Sequence, residues 1–169
     1  MIRFFPKTIL KKTSGFTYVE LALYMGLLAF VLLILVQLFT SVLNVQINSQ
    51  ANSSVQEDGR YILAKLSYDM NHASSITSPL LGSPSGMLKI VINGVTNTYT
   101  TSSGKLTINN NFGTNNLNSI DTTVSNLSFK RLGNVGGKNT ITVNFSLTSN
   151  IKKVGGNDSE NFETTLGTR

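Results

Sequence analysis

The sequence predicts an α+β fold, in which one long N-terminal helix packs on an antiparallel β-sheet. No proline occurs between Phe16 and Ser78, and proline is the residue that most strongly disrupts a helix interior. No charged side chain occurs between Leu21 and Gln56, which is typical of a membrane-spanning helix. After Pro84 the chain is rich in Asn, Thr, Ser and Gly, and apolar residues alternate with polar ones as in strands with one buried face.

The first half of the predicted helix, residues 16–43, is apolar on all faces and long enough to cross a hydrocarbon core of about 30 Å. Residues 1–15 before it carry several positive side chains and no acid. Because positive flanks stay in the cytoplasm, residues 1–15 are predicted to be a cytoplasmic leader, with the C-terminus outside. The apolar run ends without a small-residue cleavage site, so we expect the helix to be retained as a single-pass anchor. The positive residues are Arg3, Lys7, Lys11 and Lys12.

Residues 44–78 are predicted to continue the helix as an amphipathic second half. Between Asn44 and Gln56 the Asn and Ser side chains have low helix propensity, which leaves open whether the helix continues without a bend. Lys65 and Asp69 lie one helical turn apart and are assigned to the faces away from the sheet. Apolar or small residues at spacings of three and four predict the face that packs against the sheet. This face consists of Gly59, Ile62, Leu63, Leu66, Met70 and Ala73.

Residues 84–169 are predicted to form the exported β-sheet domain. Asn93-Gly94 suits a type I′ turn and predicts a hairpin around it. The stretches 109–118 and 133–139 are rich in Asn and Gly and are predicted to be solvated loops. The predicted strands are residues 87–92, 95–100, 105–109, 124–131, 139–148 and, shorter, 160–166. The predicted inward-facing residues of the later strands are Val124, Leu127, Phe129, Ile141, Val143, Phe145 and Leu147.

The charge distribution argues against direct nucleic-acid binding. The formal net charge is +6, from 14 basic and 8 acidic residues. Four of the basic residues belong to the predicted leader, so that the remainder carries ten basic against eight acidic side chains. A nucleic-acid footprint needs a clustered basic stripe. Lys130-Arg131 and Lys152-Lys153 are isolated pairs, so no direct contact with nucleic acid is expected.

The residue inventory also argues against enzyme activity. The chain has no cysteine, a single histidine and scattered acids, so no metal site of several His or Cys ligands is expected. A Ser-His-acid site would require His72, which lies near the predicted end of the helix, where a partial positive charge is favourable. Glu57-Asp58 lacks the alternating oxygen ligands of a calcium loop. We therefore expect no catalytic residue, no metal and no cofactor.

Glu20 is the most unusual residue of the chain. It is the only charge at the head of the apolar run and closely follows Gly15. An ionisable group at such a boundary is costly and indicates a function with a positive partner. Opposite charges about 4 Å apart attract by about 4 kcal/mol at an effective dielectric constant of about 20. Such an ion pair would favour one register in a bundle of apolar helices.

A Gly-Phe-Thr-x-x-Glu motif, placed between a Lys/Arg-rich leader and an apolar helix, resembles the processing and assembly signal of type IV prepilins and pseudopilins. The resemblance implies a pilin-like fold and a filament subunit. It implies that a prepilin peptidase cleaves between Gly15 and Phe16 and that Phe16 is N-methylated. It also implies that Thr17 and Glu20 act in assembly, with Glu20 pairing with the N-terminal amine of a neighbouring subunit.

Two features resemble the minor members of this family. Major pilins carry a proline in the mature helix at the position where this chain has Gln37. The segment from Arg60 to Ala73 is similar to the second half of the long helix in J-type minor pseudopilins and W-type minor pilins. The resemblance thus implies a minor subunit that initiates or caps the filament of a type IV pilus or of a type II secretion-like system.

The resemblance also implies the partners and the location. The partners are other pilin or pseudopilin subunits, the prepilin peptidase, the assembly platform of the inner membrane and membrane lipid. The location is the bacterial cytoplasmic (inner) membrane and, after assembly, a cell-surface or periplasmic filament. Two alternatives stay open. The sheet domain is then an adhesin or ligand-binding head delivered by the helix, or the chain is a plain signal-anchored exported protein in which Glu20 is only an interfacial residue.

Overall fold

The computed structural model describes residues 15–133, 138–153 and 155–168. Within these ranges the chain forms one long α-helix and nine β-strands, which confirms the α+β class. It divides into two units, Met1–Val42 and Leu43–Arg169. The elements are α1 Tyr18–His72, β1 Ser75–Ser78, β2 Pro84–Ser85, β3 Leu88–Ile92, β4 Val95–Ser102, β5 Lys105–Asn110, β6 Gly113–Asn116, β7 Thr122–Gly133, β8 Asn139–Ser149 and β9 Ser159–Gly167.

In the first unit, the described residues 15–42 comprise the start of α1 and the three residues before it. All of their side chains are exposed, although most are apolar. By length and composition, α1 is the one helix in the described part of the chain that could cross a membrane. A helix that is apolar on every face is typical of a membrane span or of the interior of a large protein.

The helix continues through the Asn- and Ser-rich stretch 44–56 but ends earlier than predicted. It stops at His72, and residues 75–78 form strand β1 instead of the last helical turn. The N–H of Ser74 donates to the carbonyl of Val91 at 2.8 Å, so the backbone passes directly from helix to sheet bonding. Ile76 is buried as a result. Residues 73–78 contain no proline and could have continued the helix, but they leave it because Ile76 is buried in the sheet as part of β1.

The strands form two antiparallel sheets, whereas a single sheet was predicted. The first has the order β1-β3-β4-β5-β6 and the second β2-β7-β8-β9. The predicted hairpin is confirmed as β3 and β4, and both Asn93 (φ 51°) and Gly94 (φ 79°) have the positive φ of a type I′ turn. The sheet domain begins at Ser75, before the predicted start at residue 84.

The predicted loop 109–118 contains strand β6, so this prediction was wrong. β6 pairs with β5 in the register Thr107↔Asn116, and all four of its residues are exposed. A fully exposed polar strand lacks the apolar alternation by which strands are recognised. In the second predicted loop, Gly133 ends β7 and Asn139 begins β8, while residues 134–137 lie outside the described part of the chain.

One continuous apolar cluster forms the core of the second unit and includes side chains of α1 and of both sheets. The predicted helix stripe is confirmed, with Leu63 and Ala73 only partly buried. Leu127 is partly buried because a β-bulge between Ser125 and Ser128 interrupts the alternation of β7. The other predicted inward residues are buried: Val124, Phe129, Ile141, Val143, Phe145 and Leu147.

Gly59 allows α1 to approach β9 closely. A Cβ atom at this position would lie 2.2 Å from the ring of Phe162. This ring stacks on Phe145 with centroids 5.2 Å apart. The requirement for glycine therefore comes from close packing and not from backbone conformation.

Replacing Gly59 by alanine is expected to lower the free energy of unfolding of the full chain in detergent micelles by up to about 2 kcal/mol. Overpacking costs about 1–3 kcal/mol, whereas the better helix propensity of alanine returns up to about 1 kcal/mol. Urea unfolding followed by circular dichroism measures the difference. Phe162→Leu should destabilise the wild type yet recover stability in the Gly59→Ala background. Simple additivity of the two substitutions would contradict the proposed contact.

Candidate functional site

The predicted processing and assembly residues lie in and just before the first turn of α1. The carbonyl of Thr17 accepts the first helical hydrogen bond, from Leu21 N–H at 3.1 Å, and its Oγ1 accepts from Glu20 N–H at 3.3 Å. Thr17 is therefore the N-cap residue and Glu20 the third residue of the helix. This spacing is that of a capping box. The Thr-x-x-Glu pattern in the sequence was a signal for this role, and the sequence reasoning missed it.

Gly15 and Phe16 precede the helix in exposed, non-helical backbone. Phe16 is 74% exposed, and its ring meets Tyr24 edge-on with centroids 6.1 Å apart. The bond between Gly15 and Phe16 is thus outside regular secondary structure. Proteases favour exposed backbone of this kind.

Glu20 carries a negative charge where the helix dipole favours one, in the first turn. The carboxylate is exposed, and among residues 15–133, 138–153 and 155–168 no basic side chain forms an ion pair with it. The apolar residues that follow it are exposed as well. The site therefore combines an exposed carboxylate in a capped first turn with an exposed apolar helix surface.

His72 is the last residue of α1, whereas the sequence placed it near the end of a helix that ran to residue 78. Its Nδ1 lies 2.7 Å from the carbonyl oxygen of Tyr68, and its ring packs on the Tyr68 ring with centroids 4.2 Å apart. A histidine near a helix C-terminus can hydrogen-bond a carbonyl of the last turns and interact favourably with the helix dipole. These contacts give His72 a structural role at the C-terminal end of α1.

Asp58 has a structural role that the sequence did not reveal. Its Oδ2 accepts hydrogen bonds from the backbone N–H of Ser119 at 2.9 Å, from the Ser119 hydroxyl at 2.8 Å and from the Thr122 hydroxyl. The carboxylate thereby fixes the segment before β7 to the helix. Within the part of the chain that the structure describes, no three His, Cys, Asp or Glu residues are grouped so as to hold a metal ion.

Asp69 is buried, although the helical pattern assigned it to an outer face. It is 3% exposed and forms an ion pair with Lys65, with Nζ to Oδ1 at 2.9 Å. Its second oxygen accepts a hydrogen bond from the hydroxyl of Tyr99, which is fully buried on β4. Burial and the hydrogen bond to Asp69 raise the pKa of Tyr99 well above its ordinary value of 10.0. The helical pattern assigned Asp69 to solvent because a local pattern cannot show that the buried Tyr99 hydroxyl donates to this carboxylate.

The second unit has two shallow depressions, of about 230 and 280 Å³. The first lies between α1 and β9 around Gln56 and Glu160, and the second lies on β7–β9 around Asn144 and Asn161. Both are lined mainly by amide, hydroxyl and carboxylate groups. Neither depression includes His72.

Comparisons with models of known protein families, with curated proteins and with solved structures find no match to this chain.

Tyr99→Phe is expected to lower the free energy of unfolding by about 1–3 kcal/mol near neutral pH, because one oxygen of the buried Asp69 loses its donor. A raised pKa in the folded state means that folded Tyr99 keeps its proton above pH 10.0, whereas the unfolded chain loses it. The unfolded state then binds fewer protons, so wild-type stability falls as pH rises above this value, by up to about 1.4 kcal/mol per pH unit.

Urea unfolding between pH 8 and pH 11.5 tests this linkage. Tyr99→Phe should lack the Tyr99 contribution to the alkaline loss of stability. Tyr68→Phe, at a tyrosine that is 60% exposed, keeps the aromatic ring, retains Tyr99 and serves as the matched control. If the free energy of unfolding depends on pH in the same way for the wild type and for Tyr99→Phe, deprotonation of Tyr99 is not linked to unfolding, which contradicts the prediction.

Proposed function

We propose that this chain is a minor pilin or pseudopilin, a structural subunit of a type IV pilus or a type II secretion-like filament. Its N-terminal helix inserts into the inner membrane and then packs with the helices of other subunits. In the assembled filament, the chain acts as the subunit that initiates or caps it. The observation that supports this proposal most is the position of Glu20, in the capped first turn of an exposed apolar helix. In the described part of the chain, Glu20 forms no ion pair with a basic side chain.

In this proposal, a prepilin peptidase cleaves between Gly15 and Phe16. Cleavage creates a positive amine on Phe16, directly before the N-cap residue Thr17. A positive charge at this end of a helix is disfavoured by the helix dipole. Pairing with Glu20 of a neighbouring subunit relieves the repulsion and gives the carboxylate its missing partner. A low-dielectric helix bundle strengthens the attraction, so the pair fixes the axial register of the two helices.

The Thr17 cap supports the same mechanism. It fixes the backbone of the first turn and thereby the direction in which the Glu20 side chain leaves the helix. The plain signal anchor, the main alternative, gives no reason for a carboxylate at this position beyond the helix dipole. The alternative of a delivered ligand-binding head uses the same anchor, so it differs only in the role of the second unit.

N-terminal processing is the first test. Mass spectrometry of the chain isolated from cells with an active prepilin peptidase should find methylated Phe16 at the N-terminus. Gly15→Val should block cleavage, because the peptidase signal depends on this residue, and should leave the apolar helix otherwise unchanged. An intact Met1 terminus on the wild-type chain in those cells would rule out the proposal.

Glu20→Gln tests the assembly role separately from membrane insertion. The variant should insert and be cleaved as the wild type but enter filaments at least about 10-fold less, because the neighbour's amine is left unpaired in a desolvated bundle. Quantification of the chain in sheared filaments and in membranes gives both values. Thr17→Ala, which loses about 1 kcal/mol of capping, should have a smaller effect, and Thr17→Ser should resemble the wild type. Normal incorporation of Glu20→Gln would favour the plain signal anchor.

A further inference from the structure

Strand β9 is a long sheet edge whose only protection of the usual kinds is its two glutamates. Natural proteins protect edges by short strands, bulges, proline or charged side chains. The other outer strands follow this rule: β2 has two residues and begins with a proline, β6 has four, and β1 has four and an irregular register. β9 has nine residues, pairs with β8 in an unbroken register and contains no proline.

The direction of the unpaired backbone groups of β9 follows from its flanking hydrogen bonds. Ser149 N–H donates to Asp158 O at 2.7 Å, and Thr168 N–H donates to Asn139 O at 3.0 Å. Both pairs continue the β8–β9 register. Because hydrogen-bonded and non-hydrogen-bonded pairs alternate in an antiparallel ladder, the even-numbered residues of β9 bond to β8. The odd-numbered residues direct N–H and C=O away from it: Ser159, Asn161, Glu163, Thr165 and Gly167.

The side chains of β9 also alternate between an exposed face and a face that contacts the core. The odd-numbered residues of β9 are exposed, whereas Phe162 and Leu166 point to the core and are only partly buried there. The core is therefore open along the outer side of β9. A further strand with apolar residues at alternate positions would cover Phe162 and Leu166. In the described part of the chain, no strand pairs with this outer edge.

Charge indicates which strand fits. Glu160 is engaged by the amide of Gln56, and Asp158 forms an ion pair with Lys153. Glu163, at the centre of β9, is exposed and has no ion-pair partner among the described residues. Two copies of β9 paired antiparallel with full overlap would place Glu163 opposite Glu163, and like charges directly opposite destabilise a strand pair. The central acid therefore disfavours a second copy and favours a basic partner.

We propose that the outer edge of β9 is a strand-addition site for an extended segment of a different polypeptide, with a Lys or Arg facing Glu163 and apolar residues beside Phe162 and Leu166. Main-chain hydrogen bonds to the odd-numbered residues supply affinity, and the side-chain pattern supplies selectivity. This site belongs to the second unit alone and is independent of processing at Gly15 and of the role of Glu20.

The test uses the full chain in detergent micelles and three fluorescent nine-residue peptides. The first has Val at positions that face Phe162, Thr164 and Leu166, Lys at the position that faces Glu163, and Thr elsewhere. The second has Glu in place of that Lys. The third equals the first but is N-methylated at the amides that face β9. Fluorescence anisotropy gives the affinities.

The Lys peptide should bind the wild type at least about 10-fold more tightly than the Glu peptide, and Glu163→Lys should reverse this order. Thr165→Pro should weaken binding at least about 10-fold, because it removes one outward N–H but no bond to β8. Thr165→Val keeps the N–H and loses the same hydroxyl, so it should bind as the wild type. N-methylation of the peptide should abolish binding, because it removes the peptide N–H groups that would bond to β9. This test uses the wild-type chain, so it does not depend on whether Thr165→Pro folds.

Equal binding of the methylated and unmethylated Lys peptides, or no binding of the Lys peptide at millimolar concentration, would overturn the proposal. Sedimentation of the chain alone provides a further check. A dimer that Thr165→Pro dissociates would mean that a second copy occupies the edge, which would overturn the assignment to a different polypeptide.

Discussion

The second unit depends on the burial of one face of α1. Ile62, Leu66 and Met70 are fully buried in an apolar cluster to which both sheets contribute. Complete burial of a side chain of this size contributes about 1.5–3 kcal/mol. Side chains from both sheets and from the helix together form one common apolar core. Gly59 is part of this face, since any larger residue would meet the ring of Phe162.

Polar contacts at the rim of this core determine how the helix is placed on the strands. Asp69 contacts Tyr99 of the first sheet, Gln56 contacts Glu160 of the second, and Asp58 holds the segment before β7. Apolar packing is nondirectional, whereas hydrogen bonds to carboxylates require particular positions of donor and acceptor. The helix is therefore fixed in register against both sheets by side chains that an amphipathic pattern alone would assign to solvent.

The two charged sites that we propose as functional share a physical feature. Glu20 and Glu163 are acids with no ion pair in the described part of the chain, and each lies next to apolar surface that is incompletely covered. Glu20 lies at the head of an exposed apolar helix, and Glu163 lies at the centre of an unpaired strand edge. An acid in such a place favours a basic partner and disfavours an identical acid, so it selects among apolar surfaces that would otherwise associate without discrimination.

The α+β class, the apolar N-terminal helix, most of the strands and the buried stripe of α1 could be predicted from the sequence, because they follow from periodicity and from the positions of proline and charge. A local motif also pointed to Gly15, Phe16, Thr17 and Glu20 as the candidate site. The sequence did not predict the end of α1 at His72, the division into two sheets, strand β6 or the burial of Asp69. The physical reason is that these features arise from partners distant in sequence: Val91 for Ser74, β5 for β6 and Tyr99 for Asp69.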